Sequence, residues 1–386
     1  MIGFVYYNPA KIVFGTESQN RLKDLLQGEG VTSLLLVYSG DFIKTLGIYD
    51  TVQIAVKELG IPLIEDGSVV ANPDVELVRS LVEKGRDHQV DFVLAVGGGS
   101  AIDTAKAVAL GIPYDGDVWD FFEKGVQPDR VLPIGVIATT ASSGSETSNA
   151  AIISKGEWKL GFEDDRIIPK FAIMNPSYSA TLPHYQTFVG VADILSHLLE
   201  RYFSDVKNSD TTDYLIEGAI KALLLNAERL KKDSKDLNAR GEIQWLASIS
   251  HNNFLDAGRR ADWGSHRIEH ELSAQYNITH GEGMAIVLVA WTQYVASRKP
   301  WRLALLANRV FGVDAYDFSQ EERAYILSEK LEEFFQGLGL KTNLTALGID
   351  ERDFDQMAAR ATKNGPVGHY LELDQGAIKN ILQLAI

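Results

Sequence analysis

The chain of 386 residues contains no cysteine. This absence excludes a disulfide framework, thiolate zinc sites and a cysteine nucleophile. Basic residues are in deficit, because 37 lysines and arginines stand against 52 aspartates and glutamates, a formal net charge of −15. Contacts with phosphate groups need a basic face, so this charge argues against duplex DNA or an anionic membrane as a partner. We therefore expect small-molecule substrates and neither a nucleic-acid nor a membrane partner.

Long hydrophobic runs are also missing from the chain. One of the longest, residues 284–291, is far shorter than the roughly 18 residues that a membrane-spanning helix needs. The first residues lack the basic start and the apolar core of a secretory signal peptide. We therefore expect a cytoplasmic protein.

The first half of the chain alternates strand-like and helix-like segments. Short apolar runs occupy residues 33–37, 61–64, 91–96 and 131–138, and a helical pattern covers residues 48–59. Apolar runs that are continuous rather than alternating indicate a parallel sheet with helices on both faces. The alternation therefore predicts a doubly wound α/β domain.

The second half of the chain has a different sequence pattern. Helical periodicity extends over residues 212–232 and 241–254, and proline is scarce after residue 185, where only Pro300 and Pro366 occur. A chain of this length can form two domains. We predict a dinucleotide-binding α/β domain over residues 1–185 and an all-α, metal-binding and catalytic domain over residues 186–386.

A glycine-rich segment follows the predicted strand at residues 91–96. Gly97, Gly98, Gly99 and Ser100 lie between that strand and a helix, where free N–H groups and the helix dipole favour a diphosphate. Ser100 with Asp103 also predicts a capping box at the start of that helix. The segment is neither the G-x-G-x-x-G fingerprint nor a P-loop. The alternative is a turn that only joins strand to helix.

A second polar loop follows the next predicted strand. Thr139, Thr140 and Ser143 carry hydroxyl groups that could hold a ribose or a nicotinamide amide, although such a loop can also be a simple turn.

The strand at residues 33–37 bears on the choice between NAD and NADP. Ser39 and Gly40 would leave room for the 2′-phosphate of NADP, whereas an acidic residue at such a position binds the ribose of NAD. Asp41 lies two positions further on and opposes this interpretation.

Histidines and one aspartate form the candidate metal site. Asp193 and His197 are four residues apart, as are His266 and His270, so each pair shares one face of a helix. Asp193, His197, His266 and His280 are all of ligand type, and together they leave coordination positions open for a substrate oxygen. The alternative for any one of them is an ordinary structural histidine or aspartate. A zincin motif is excluded, because Ala274 occupies the position of its second histidine.

These segments together resemble the iron-containing (group III) alcohol dehydrogenase family over essentially the whole chain. The resemblance is greatest to the branch of butanol dehydrogenases and broad-range aldehyde reductases. The chain departs from the family's pattern at two positions. Asn175 precedes Pro176, where Asp-Pro is usual, and Glu269 occupies a position at which relatives often have glycine. The matching stretches are residues 7–9, 12–15, 97–100 with Asp103 and Lys106, 143–146, 181–183, Asp193 with His197, and 266–283.

The resemblance implies a nucleotide-binding α/β domain, a helical domain, one divalent metal and a nicotinamide cofactor. Asp193, His197, His266 and His280 fall on the family's ligand positions, and His270 on its histidine near the substrate. The branch tends to use NADPH, so we expect NADP(H) rather than NAD(H), with iron or zinc as the metal. A homodimer is the expected assembly. The family's cofactor contacts would fall on Asn72, Thr139, Thr140, Ser143 and Lys159.

The predicted function is reversible hydride transfer between NAD(P)H and a small aldehyde or primary alcohol resembling butanol. The metal is expected to serve as a Lewis acid and His270 as a proton relay. One alternative is a metal- and NAD-dependent lyase similar to dehydroquinate synthase. That reaction needs a basic pocket, for which the chain offers only Arg259, Arg260 and Arg267 nearby. A nucleotide-binding protein without turnover is a third possibility.

Overall fold

The computed structural model describes residues 1–386 and divides the chain into two compact units. The sheet unit comprises Tyr7–Leu182 and Lys235–Asn252, and the helical unit comprises Met1–Tyr6, Pro183–Ser234 and Asn253–Ile386. The strands are β1 Lys11–Phe14, β2 Leu34–Tyr38, β3 Leu63–Asp66, β4 Phe92–Gly97, β5 Ile134–Ala138, β6 Ala150–Lys155, β7 Trp158–Glu163 and β8 Phe171–Met174. The helices of the sheet unit are α1 Leu22–Gly28, α2 Phe42–Thr45, α3 Ile48–Leu59, α4 Val75–Asp87, α5 Gly99–Gly111, α6 Trp119–Lys124 and α9 Leu237–His251. Those of the helical unit are α7 His184–Tyr202, α8 Asp210–Lys232, α10 Gly264–Tyr276, α11 His280–Ala296, α12 Trp301–Arg309, α13 Gln320–Gly337, α14 Phe354–Ala361 and α15 Gln375–Leu384.

Six parallel strands in the order β1-β8-β5-β4-β2-β3 form the main sheet. Every residue of β2, β4, β5 and β8 is buried. Along β4, Val93 and Ala95 join the apolar core on one face, while Phe92, Leu94 and Val96 join the core on the other. Successive side chains of a strand point to opposite faces, so a sheet covered on both sides needs apolar residues at every position. The predicted doubly wound α/β fold is confirmed.

The predicted capping box at the start of α5 is wrong. Helix α5 begins at Gly99 with Gly98 at its N-cap, and no side chain caps it. The carboxylate of Asp103 instead accepts hydrogen bonds from Ser145 Oγ at 2.6 Å and from the backbone N–H of Ile152 at 3.1 Å. Asp103 thus connects α5 to the loop after β5 and to β6, because the helix starts inside the glycine turn rather than after it.

The helical unit is built around two buried helices, α7 and α11, and contains no strand. Residues 187–202 of α7 are all buried. The two helices approach closely at Gly281, where a β-carbon would lie only 2.1 Å from the carbonyl oxygen of Val189. None of the helices is both long enough and apolar enough to cross a bilayer.

Candidate metal centre and nucleotide loops

Three helices of the helical unit contribute the candidate metal ligands. Asp193, His197 and Glu200 follow one another on a single face of α7, at spacings of four and three residues. His266 lies in the first turn of α10, and His280 is the first residue of α11.

The structure brings the four predicted ligands together. One candidate ligand atom each from Asp193, His266 and His280 lie within 4.8 Å of one another. The distance from His280 Nε2 to Asp193 Oδ1 is 3.5 Å. His197 lies beside this trio, with Nδ1 3.8 Å from Asp193 Oδ1 and its ring stacked on that of His266 at a centroid distance of 4.9 Å.

His270 lies at the margin of the same cluster. Its ring centroid is 5.7 Å from that of His280 and 6.4 Å from that of His266. A second trio of possible ligand atoms, from Glu269, His270 and His280, also falls within 4.8 Å. The two trios share only His280.

The chemistry of this cluster fits a divalent cation. Asp193, Glu200 and Glu269 are 4%, 2% and 0% exposed, so three carboxylates are buried beside the imidazole rings of the cluster. Buried carboxylates are costly unless a positive charge compensates them. The Nε2 atom of His266 is also buried without a hydrogen-bond partner. A set of imidazole and carboxylate donors suits iron or zinc.

Glu200 is a site residue that the sequence-based prediction missed. Burial by itself would raise the pKa of Glu200, but hydrogen bonds from His266 and Ser265 outweigh burial and hold that pKa below its ordinary value. An ionised carboxylate is therefore fixed beside a candidate ligand. The spacing of polar residues along α7, at positions 193, 197 and 200, could have revealed it.

The glycine loop after β4 lies between two polar loops of the sheet unit. Side chains occupy the space beside each glycine: a β-carbon would lie 3.3 Å from Ser39 Oγ at Gly97, 2.5 Å from Thr140 Oγ1 at Gly98, and 2.7 Å from Ser143 Oγ at Gly99. The loops after β2, β4 and β5 therefore converge at the carboxyl edge of the sheet, where nucleotides bind in doubly wound folds.

The other predicted cofactor residues lie around this edge. Ser100 is the second residue of α5, and Gly40 continues the loop after β2 with φ of 68°. Thr139 directly follows β5, and its Oγ1 is buried without a hydrogen-bond partner.

The antiparallel β6–β7 hairpin brings the last two predicted cofactor residues near each other. Asn72 has a left-handed backbone, with φ of 53°, and precedes Pro73, whose carbonyl oxygen accepts a hydrogen bond from Ser154 N at 2.8 Å. Ser154 is the cross-strand partner of Lys159 in the hairpin.

A buried polar cluster holds the loop after β5 in place. The ammonium group of Lys106 donates to Ser145 Oγ at 2.9 Å, Ser148 O at 2.9 Å and Ala150 O at 2.8 Å. Burial lowers the pKa of Lys106 to about 8, and it raises the pKa of the neighbouring Asp103. The cluster connects α5, the loop and β6 as one unit.

Helix α9 supports the same loop from within the sheet unit. Ser248 Oγ donates to Glu146 Oε1 at 2.5 Å, and Thr147 Oγ1 donates to the carbonyl oxygen of Ser248 at 3.2 Å. No pattern in the sequence around residues 237–251 indicates this contact, because the two segments are about a hundred residues apart.

The fold and the two residue clusters point to an enzyme that uses a nucleotide and a metal. A family profile described as iron-containing alcohol dehydrogenase matches residues 9–176, and its Fe-containing C-terminal counterpart matches residues 187–386. The chain belongs to the iron-containing alcohol dehydrogenase family, and its class of activity is that of an NAD(P)-dependent alcohol dehydrogenase or aldehyde reductase.

Two relatives and one solved structure illustrate the similarity. A probable NADH-dependent butanol dehydrogenase 1 of Bacillus subtilis is 36% identical over 388 residues, covering 100% of both chains. The NADPH-dependent aldehyde reductase YqhD of Escherichia coli is 29% identical over 371 residues, covering 95% of this chain and 94% of the relative. The crystal structure of an NADH-dependent butanol dehydrogenase A from Thermotoga maritima superposes with a TM-score of 0.95 at 35% identity, covering 99% of this chain and 98% of that one.

Proposed function

We propose that the chain catalyses reversible hydride transfer between NAD(P)H and a small aliphatic aldehyde or primary alcohol of about butanol's size. The observation that carries this proposal is the convergence of Asp193, His266 and His280 in a buried, carboxylate-rich cluster with His270 at its margin. In the direction of reduction, a hydride passes to the carbonyl carbon, the carbonyl oxygen gains one proton, and the reduced cofactor becomes NAD(P)⁺.

Asp193, His197, His266 and His280 are the proposed metal ligands. These residues would hold a divalent iron or zinc ion, which would supply a Lewis acid for the carbonyl oxygen of the substrate. The protein contributes the fixed donors, since all four side chains are on helices and three of the four are buried.

His270 is the proposed proton relay between the substrate oxygen and solvent. Its ring is close to the proposed ligands, and its side chain is less buried than that of His266. An imidazole titrates near neutrality, so it can give a proton during aldehyde reduction and take one during alcohol oxidation.

The loops of the sheet unit are the proposed cofactor site. Gly97, Gly98, Gly99 and Ser100 would hold the diphosphate through backbone N–H groups at the start of α5. Asn72, Thr139, Thr140, Ser143 and Lys159 would contact the remainder of the cofactor.

We further propose a preference for NADP(H) over NAD(H). Ser39 and Gly40 give the end of β2 a neutral, small surface next to the glycine loop. Asp41 opposes this preference, but its carboxylate is paired with Lys44 Nζ at 2.8 Å. The relatives diverge on this point, since the Bacillus subtilis relative is described as NADH-dependent and the Escherichia coli relative as NADPH-dependent.

Two of the three arginines near the metal segment, Arg259 and Arg267, have other partners in the structure. Arg259 is buried, pairs with Asp213 and donates to the carbonyl oxygen of Arg201 at 2.8 Å. Arg267 forms a salt bridge with Glu271 at 3.0 Å. Both are therefore engaged in structural contacts, which supports the dehydrogenase over a lyase acting on a phosphorylated acid.

A homodimer in the cytoplasm is the proposed working state of the enzyme. Light scattering coupled to size-exclusion chromatography tests the assembly: a mass of one chain, near the 42.6 kDa of the monomer, would contradict the dimer.

The function is tested by following oxidation of NADPH and, in parallel, of NADH with butyraldehyde as substrate. We expect aldehyde-dependent oxidation with the higher kcat/KM for NADPH, and about one bound metal per chain. Turnover that favours NADH would refute only the cofactor preference. Absence of turnover with both cofactors, in metal-loaded protein, would refute the proposed reaction.

A further inference from the structure

Two buried glutamates, Glu200 and Glu269, each contact the Nδ1 atom of one proposed metal ligand. We propose that they are positioning residues, which accept the Nδ1 protons of His266 and His280 and so direct both Nε2 atoms at one shared metal. This inference rests on the proposed metal-dependent function and deepens it, because it concerns residues that do not themselves bind the metal.

Glu200 reaches from α7 to the first turn of α10. Its Oε1 accepts from His266 Nδ1 at 3.0 Å, from His266 N at 3.0 Å and from Ser265 Oγ at 2.5 Å. Its Oε2 accepts from Trp263 N at 2.7 Å. The Nδ1 atom of His266 is therefore engaged by this carboxylate, and Nε2, which is buried without a hydrogen-bond partner, is the ring nitrogen left for a metal.

Glu200 also caps α10. Trp263 occupies the N-cap position with a left-handed backbone, φ of 62°, and its own side chain makes no capping hydrogen bond. The carboxylate of Glu200 takes over that role from another helix and adds a negative charge at the positive end of the helix dipole. One side chain thus sets both the start of α10 and the ring orientation of His266.

Glu269 makes the equivalent contact between α10 and α11. Its carboxylate accepts hydrogen bonds from His280 Nδ1 and from Ser273 Oγ, and the side chain is fully buried. Gly283 makes room for it, since a β-carbon at that position would lie 2.7 Å from Glu269 Oε1. Larger side chains at position 283 would displace the carboxylate from His280.

The two contacts form a series. A carboxylate on α7 orients the histidine of α10, and a carboxylate on α10 orients the histidine of α11. The outcome is visible at the other ring nitrogens: His280 Nε2 is 3.5 Å from Asp193 Oδ1, and His266 Nε2 is buried without a hydrogen-bond partner. Carboxylates that hold the second nitrogen of a ligating histidine fix its tautomer and increase its basicity.

The decisive comparison is Glu269→Gln against Glu271→Gln. Both residues are buried glutamates on α10, but Glu271 pairs with Arg360 at 2.7 Å and with Arg267 rather than with a histidine. The protein is stripped of metal and titrated with Zn²⁺ against a chelator of known affinity. We expect Glu269→Gln to weaken Zn²⁺ binding by about 10- to 100-fold. Glu271→Gln should keep the wild-type affinity even where it lowers stability.

A spectroscopic readout separates positioning from general damage. Co²⁺-loaded Glu269→Gln should show an altered visible absorption spectrum, because the orientation of His280 changes, whereas Co²⁺-loaded Glu271→Gln should match the wild type. Ser273→Ala, which removes one hydrogen bond to Glu269 but keeps its carboxyl group, is the milder variant if Glu269→Gln does not fold, and it should weaken Zn²⁺ binding in the same direction.

The outcomes distinguish this inference from the proposed function. Unchanged Zn²⁺ affinity and an unchanged Co²⁺ spectrum in Glu269→Gln would overturn the positioning role while leaving the metal site intact. Equal losses in Glu269→Gln and Glu271→Gln would also overturn it. A wild-type chain that binds neither ion would instead refute the metal dependence on which the inference rests.

Discussion

At the scale of single residues, the histidines of the helical unit differ in what surrounds them. His266 is held by Glu200 and His280 by Glu269, whereas His270 lies at the margin with its ring 5.7 Å from that of His280. The held histidines suit fixed ligation and the marginal one suits proton transfer. Substitution of His266 or His280 should therefore affect metal binding, whereas substitution of His270 should affect proton transfer.

Replacing His270 by phenylalanine should separate chemistry from metal binding. We expect metal content to stay near the wild-type level, while kcat falls by about 10²- to 10⁴-fold, as is usual for loss of a general acid or base. The pH dependence of kcat near neutrality should flatten as well. Metal analysis and pH–rate profiles check this, with the exposed His369 replaced by alanine as the control. Loss of the metal in His270→Phe would show that His270 is a ligand.

The buried Lys106 predicts a pH-dependent stability. Its pKa is lowered from 10.5 to about 8 by burial, so between these values the unfolded chain binds the proton and the folded chain does not. Folding therefore becomes more favourable as pH rises through this window, by roughly 3 kcal/mol in all, and is independent of this group below it.

Urea unfolding of the wild type and Lys106→Met between pH 7 and pH 10 measures this effect, since titrating groups that do not interact with Lys106 cancel in the difference. We expect the wild type to gain free energy of unfolding relative to Lys106→Met as pH rises above about 8. A difference that stays constant across this range would contradict the lowered pKa.

The sequence identifies candidate ligands by residue type and spacing, and the structure places them close together. The supporting residues are harder to find because they depend on tertiary contacts. In the sequence, Glu200 cannot be distinguished from other polar residues of α7, because its partner His266 lies on α10. Glu269 likewise contacts a histidine of another helix, since it is on α10 and His280 is on α11. A periodic pattern within one segment cannot reveal partners on another.

At the scale of secondary-structure elements, the strongest patterns gave the most accurate bounds. The helix predicted over residues 48–59 is α3 with the same ends, and the four predicted apolar strands correspond to β2, β3, β4 and β5 within a few residues. Strands β1 and β8 and the β6–β7 hairpin were not predicted. Strands β1 and β8 have only four residues each, and an apolar run that short does not distinguish a strand from part of a helix. The hairpin strands are only half-buried, so their apolar pattern is weak.

The close approach of α7 and α11 gives a prediction at this scale. Gly281→Ala would place a β-carbon 2.1 Å from Val189 O, so α11 must move away from α7 and carry His280 with it. We expect a loss of about 1–3 kcal/mol of unfolding free energy together with weaker Zn²⁺ binding.

Gly218→Ala is the matched control, because it also adds a methyl group inside a helix but has nothing within 4 Å. That change should stabilise the chain by up to about 1 kcal/mol and leave metal affinity unchanged. Wild-type stability and Zn²⁺ affinity in Gly281→Ala, measured by urea unfolding and chelator competition, would contradict the tight contact.

At the scale of the whole molecule, composition and alternation predict the class of fold because the hydrophobic pattern of a doubly covered sheet is distinctive. The sequence alone does not show to which unit α9 belongs. The prediction assigns residues 186–386 to one helical domain, whereas the compact units of the structure group Lys235–Asn252 with the sheet. The contacts of Ser248 with the loop after β5 explain this grouping, and they join segments distant in sequence.

In the proposed enzyme, one metal held by the histidines of the helical unit is needed for turnover. The most direct measurement determines metal content and butyraldehyde-dependent NADPH oxidation on the same preparations of wild type, His266→Ala and the control His369→Ala. We expect about one metal per chain with turnover in wild type and control, and loss of both in His266→Ala. Sustained aldehyde reduction by metal-depleted His266→Ala would contradict this expectation.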